Sequence, residues 1–225
     1  MKPIYFCTDI ETSGQSYSTG SIVTLGCVPV MEHEGKWHTL EYLVENRKVM
    51  PGVASNFYIR MTRRPVPDHK GTMDWWSTQS AEAYEEAFTT YPRHAPCDAM
   101  NLFVSHIALV CAWFNQQEVP VSPVFVSGPI SFDFDFVRNY LYEYCKWNPF
   151  GDPGRTLDPK SYMAGLTGCS VLDCTIEHFE EIFGKVEETY HSHHALDDAK
   201  HLAARMVKML NYGSERSFGK DPILK

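Results

Sequence analysis

Apolar and polar residues alternate through the first third of the chain. Segments 3–8, 21–30 and 37–44 are rich in β-branched and aromatic residues and are separated by Ser/Gly and Glu-Gly turns. That pattern predicts a meander of antiparallel strands. Further on the period lengthens. Thr72 is placed to cap a helix through Trp75 and Trp76, and Ser80 a second one through Ala87. Asp98 is expected to open a longer helix in which Phe103, Ile107, Val110 and Phe114 recur at helical spacing. Residues 124–127 read as a short apolar strand closed by Gly128-Pro129, and 134–147, 176–183 and 195–210 read as helices. Strands first, then strand and helix in alternation, give an α/β chain with a mixed sheet flanked by helices.

Composition narrows the class. With 225 residues, 44% hydrophobic and 21% charged, the chain is long enough for one well-buried domain and is not a disordered polymer. Its longest apolar runs, 4–7 and 107–114, fall short of the roughly 18 residues of a membrane span. The N-terminal residues reach Asp9 and Glu11 without a long apolar stretch or a small-residue cleavage site. No membrane partner and a cytoplasmic localisation are therefore expected. Seven cysteines without a C-x-x-C pair read as reduced packing residues. A net charge of −8, evenly spread, would repel a phosphodiester backbone. However, Arg60, Arg63, Arg64 and Lys70 cluster, and part of the negative total is what a carboxylate metal site would carry.

Four acidic positions draw attention because of their setting. Side chains alternate along a strand, so Asp9 and Glu11 project from one face, about 7 Å apart, at the end of an apolar strand. Two anions there fit either a solvated strand end or a shared cation. Asp133 lies on the helical stripe of Phe136, Val137, Tyr140, Leu141 and Tyr144 and so points inward, whereas Asp135 shares a face with Arg138, Asn139 and Tyr142, where an exposed ion pair accounts for it. In the last helix Asp198 stands beside Ala195 and Leu202 on the apolar stripe, and Asp197 faces Lys200 and His201. Inward carboxylates at the start of two helices are costly unless cations or donors meet them. One divalent metal site satisfies all four. His193, five residues before Asp198, is suited to take a proton from water, with His191 and His194 as rivals. Each motif alone is weak. With 12 Asp, 16 Glu and 10 His, roughly one D-x-E arises by chance, and His69 with Asp74 also matches H-x4-D.

Taken together, Asp9-Ile10-Glu11-Thr12, Phe132-Asp133-Phe134 and His193-His194-Ala195-Leu196-Asp197-Asp198 resemble, in order and across nearly the whole chain, the three motifs of the DEDDh 3′→5′ exonucleases of the ribonuclease H-like superfamily. Thr72-Met73-Asp74-Trp75-Trp76 followed by Gln79-Ser80 is similar to a segment in a phage and bacterial branch of exonucleases, although two tryptophans packing a short helix is its ordinary reading. Many relatives carry Asn or His shortly before F-D, where this chain has Gly128-Pro129-Ile130-Ser131. A tyrosine subclass would place its residue at position 194, which is His194, so the histidine subclass is implied.

The resemblance implies a five-stranded mixed sheet, three antiparallel strands then parallel ones, within a domain over 1–212 and a C-terminal tail over 213–225. It implies hydrolysis of DNA or RNA from a single-stranded 3′ end, releasing nucleoside 5′-monophosphates. Asp9, Glu11, Asp133 and Asp198 would hold two Mg²⁺ or Mn²⁺ ions, His193 would act as general base, Thr12 and Ser13 would meet the terminal nucleotide, and the chain would pair as a homodimer. The other readings carried by the same residues are a nucleic-acid-binding module that retains the fold, and a phosphodiesterase for short oligonucleotides or nucleotide second messengers.

Overall fold

A computed structural model describes residues 1–49, 54–116, 120–151, 153–186 and 193–218, the side chains of 216–218 excepted. Two long strands, β1 (Lys2–Thr12) and β2 (Ile22–His33), pair antiparallel and form the centre of the sheet. β3 (Lys36–Thr39) follows and pairs with the far half of β2. The expected third strand over 37–44 is only half realised. Thr39 accepts a hydrogen bond from the Tyr42 amide and starts α1 (Leu40–Glu45), because Leu40 and Leu43, three apart, both bury. β4 (Phe57–Arg60) pairs with the near half of β2.

Four helices and two strands follow in order. These are α2 (Lys70–Trp76), α3 (Ala81–Phe88), α4 (Pro96–Asn115), β5 (Val121–Val126), α5 (Ile130–Tyr140) and β6 (Thr156–Leu157). Ser80 caps α3 as expected, accepting from the Ala83 amide. The cap of α2 is His69, not Thr72; its ring nitrogen accepts from the Thr72 amide. α4 opens at Pro96, two residues before Asp98, since proline is preformed for the first helical position. α5 begins at Ile130 and passes into a π turn, Leu141–Cys145, so the expected helix 134–147 starts earlier and ends irregularly. Asp135 hydrogen-bonds Asn139 in place of the expected ion pair with Arg138.

The last part of the chain is helical: α6 (Pro159–Thr167), a 3-10 turn (Val171–Asp173), α7 (Ile176–Phe183) and α8 (Ala195–Phe218). The stretch after 212, expected as a tail, therefore begins as helix. The Ser214 hydroxyl accepts from the Trp37 indole and fastens it to β3.

The sheet runs β3-β2-β1-β5-β6 with β4 beside β2, and β5 is parallel to both β1 and β6. The five-stranded expectation thus gains β4, a four-residue strand. On one face, Ile4, Phe6 and Ile10 of β1 pack with α4, α5 and the π turn; on the other, Cys7 packs with Ala199, Leu202 and Met206 of α8 and with α6 and α7. A small third cluster sets Trp76, Ala83 and Ala87 on Val23. α4 is long and apolar enough to cross a membrane by composition alone, with a mean hydropathy of 1.5. Counting uninterrupted runs missed this. Its Met100, Phe103, Ile107 and Val110 lie in the core against the sheet, and that packing accounts for the composition.

Candidate active site

Strand parity places Asp9 and Glu11 on the face of β1 that carries Cys7, the face covered by α8. The pairing register between β1 and β2 shifts immediately after Glu11, where Val23 of β2 is the extra residue of a bulge beside the second carboxylate. Across the ladder from Asp9 lies Gly26. A Cβ at Gly26 would stand 2.3 Å from the Ala195 carbonyl oxygen and 2.4 Å from the Leu196 nitrogen. Only a residue without a side chain lets the first turn of α8 come down onto the sheet here. That turn carries Asp198.

Asp9, Glu11 and Asp198 each present a ligand atom, and these atoms lie within 4.8 Å of one another. Asp133, in the first turn of α5 and 3% exposed, acts electrostatically on both Asp9 and Glu11. Burial first, then repulsion by Asp133, Glu11 and Asp198, pushes the Asp9 carboxyl far above its ordinary range. Burial, with Asp198 and Asp133, raises Glu11 to about 8. Burial also raises Asp133 to about 7, against the opposing effect of the Ser127 hydroxyl. Gathered carboxylates whose charge is penalised in this way fit a hard divalent cation, which takes oxygen ligands and supplies the missing positive charge. The donor set contains neither cysteine nor histidine, which disfavours a softer metal.

The rival histidines part company. His194 turns its Nδ1 to the Asp197 amide at 3.4 Å and stacks on Tyr58, centroids 4.7 Å apart; it caps α8. His193 lies edge-on to Trp75 and Trp76, at 5.0 and 6.0 Å between centroids. Burial lowers its pKa, so the ring is neutral near pH 7. His191 falls outside the described residues.

The tryptophans also wall a cavity of about 360 Å³, lined by Glu11, Thr12, Gln15, Trp75, Trp76 and Phe132 among others. Buried Trp76 donates its indole N–H to the Thr12 carbonyl at 2.9 Å, whereas Trp75 is 44% exposed. Thr12 lines the cavity, its hydroxyl donating to the Gly14 carbonyl. Ser13 does not line it. It is fully buried, its hydroxyl accepting from the Ser21 amide and its carbonyl from the His69 amide. The basic stretch is likewise engaged internally. Arg60 binds Glu86, Arg63 binds Asp68, Arg64 donates to the Tyr17 and Gly20 carbonyls, and Lys70 pairs with Asp74. Gln15 was not singled out from the sequence, and Phe132 only as the residue before Asp133 in its motif, since no local pattern marks a cavity wall.

The sequence matches, over residues 5–210, the model of a family described as the 3′-5′ exoribonuclease Rv2179c-like domain. The chain belongs to this exonuclease family. Among curated proteins, the 3′-5′ DNA exonuclease Cap18 of Escherichia coli is 32% identical over 123 residues, or 54% of this chain and 59% of that protein. The chain thus spans about three-fifths of the curated relative's length. Among solved structures, the nuclease domain of 3′hExo, a DEDDh member bound to rAMP, superposes with a TM-score of 0.53 at 12% identity, covering 95% of this chain and 93% of that one. Exonuclease I of Escherichia coli in complex with a dT13 oligonucleotide superposes at 0.59, also at 12% identity, covering 97% of this chain and 42% of that one. These two establish the ribonuclease H-like fold of the DEDDh exonucleases for the Rv2179c-like chain.

Proposed function

We propose that the protein is a metal-dependent hydrolase that removes nucleoside 5′-monophosphates from the free 3′ end of a single-stranded nucleic acid. The observation that carries this reading is the convergence of Asp9, Glu11 and Asp198 within 4.8 Å beside the cavity walled by the tryptophans. Asp9, Glu11 and Asp198 would hold one Mg²⁺ or Mn²⁺, and Asp133 together with Asp9 a second. When bound, such cations neutralise charge on the scissile phosphate and the leaving oxygen and make water more acidic.

The remaining work belongs to the chain. His193, neutral near pH 7, takes the proton of the attacking water on a ring nitrogen; this assignment is favoured because His194 is committed to the α8 cap. Thr12 lines the place of the terminal nucleotide, and the exposed face of Trp75 offers a base a stacking surface that does not depend on sequence. Exonuclease I, with its dT13 oligonucleotide, and 3′hExo, with rAMP, supply the analogy for a strand end seated at this site.

The test is digestion of 5′-labelled oligonucleotides, DNA and RNA, single- and double-stranded, with free and blocked 3′ ends, in Mg²⁺. A ladder shortening from the free 3′ end is expected, and the two sugars assign the preference at the 2′ position. Binding without cleavage would instead mark a nucleic-acid-binding module, and cleavage confined to dimers or trimers a small-oligonucleotide phosphodiesterase.

A further inference from the structure

His193 is a non-glycine residue at φ +65. Such a conformation is sparsely populated and persists where the surroundings fix it. On one side the ring meets Trp75 and Trp76. On the other, the next residue is locked by a cluster to which neither β1, α5 nor α8 contributes a metal-binding carboxylate. Glu86 of α3 receives Arg60 Nε at 2.6 Å and Nη2 at 2.9 Å, one to each carboxylate oxygen, and the Tyr58 hydroxyl donates to it as well. Burial works against the Glu86 charge, but the Arg60 and Tyr58 hydrogen bonds outweigh it and hold the carboxyl below its ordinary value.

His194 Nδ1 accepts from the Asp197 amide at 3.4 Å and lies 3.7 Å from the Asp197 carboxylate. Nε2 faces Glu86 Oε1 at 3.8 Å, an electrostatic contact, while the ring lies on Tyr58 at an interplanar angle of 24°. The imidazole of His194 is thereby held on its face, at Nδ1 and toward Nε2. Its backbone fixes where His193 ends.

We infer that Glu86, anchored by Arg60 and Tyr58, is a positioning residue that acts through His194 to hold the His193 ring at the catalytic site. The inference rests on the reading of His193 as the base. A half-buried bidentate pair that only tied β4 to α3 would serve stability alone, and the two roles separate in kinetics.

The experiment is a double-mutant cycle on the full chain with Glu86→Gln and His193→Ala, measuring kcat and KM on a 5′-labelled oligonucleotide in saturating Mg²⁺, with thermal midpoints alongside. Misplacing a general base costs turnover and spares ground-state binding, so Glu86→Gln should lower kcat about ten- to a hundredfold with KM within about twofold. In the His193→Ala background the same change should alter kcat by less than about twofold, since no base remains to be placed. Tyr58→Leu, which removes both the stacking face and the hydroxyl, should reproduce the pattern even if Glu86→Gln folds poorly. Equal losses of kcat in both backgrounds, or undiminished turnover in Glu86→Gln and Tyr58→Leu, would overturn the inference. Wild-type turnover in His193→Ala would remove the base itself, a separate failure that the same cycle reports.

Discussion

A methyl group on Gly26 would sit 2.3 Å from the carbonyl oxygen of Ala195. Backbone cannot rotate out of the way as a flexible side chain can. Gly26→Ala should push α8 off the sheet, destabilise the protein by about 1–3 kcal/mol as overpacking does, and draw Asp198 away from Asp9. A lowered urea midpoint together with lost nuclease activity is the expected result; wild-type activity at unchanged stability would show that the close approach is not required. His106 of α4 supplies a pH-dependent counterpart remote from the site. It is buried against Phe6 and Phe57, and burial lowers its pKa to about 4. Between that value and its ordinary one near 6.5 the unfolded chain binds a proton that the native protein refuses. Stability therefore rises with pH across this interval and is level above it, an effect of at most about 3 kcal/mol. In His106→Phe the difference between urea midpoints at pH 5 and pH 7 should shrink; an unchanged difference would assign the acid sensitivity to other groups.

Elements with a long, regular period are legible in the sequence, and short ones are not. The stripe of Phe103, Ile107, Val110 and Phe114 marks α4, and α7 occupies 176–183 as its pattern predicts. β4 and β6, four and two residues long, contain too little alternation to register. The segment 37–44 satisfies a strand and a helix at once, and the Thr39 cap with Leu40 and Leu43 decides for α1 after a short strand. Two helix starts are capped by histidine rings, His69 and His194, which lie outside the usual Ser/Thr/Asp/Asn signal. The carboxylates were legible because parity along β1 and the apolar stripes of α5 and α8 each force a side chain inward. The hydrogen bonds of Ser13 and Glu86 were not, since their partners lie at Ser21, Tyr58 and Arg60 on other segments. Where a cap is of the ordinary kind its contribution is separable from function. Thr175 accepts from the His178 amide at the start of α7, away from the carboxylates. Thr175→Ala should cost about 1 kcal/mol of stability with turnover unchanged, read from thermal melts and the nuclease assay together.

At the scale of the whole molecule, the sheet brings together groups from the beginning, middle and end of the chain. β1 delivers Asp9 and Glu11, α5 delivers Asp133 beside the parallel strand pair, and α8 closes the set with Asp198. The fold thus concentrates negative charge where burial and repulsion oppose it, and a cation that binds only the folded protein must stabilise it. Mg²⁺ or Mn²⁺ at about a hundred times its dissociation constant should add about 2.7 kcal/mol, a rise of about 5–10 °C in thermal midpoint for a chain of this size. Asp198→Asn should lose most of that rise. An equal rise in the variant would place the ion elsewhere.

The proposed hydrolysis at these converging carboxylates begins at a free 3′ end. Its most direct measurement compares wild type with Asp9→Asn, both cleared of contaminating nucleases, on a 5′-labelled single strand in Mg²⁺ with its 3′ end free or blocked. A stepwise ladder from the wild type on the free end alone and an intact strand with Asp9→Asn are expected. Digestion by Asp9→Asn at the wild-type rate, or equal digestion of the blocked strand, would contradict that expectation.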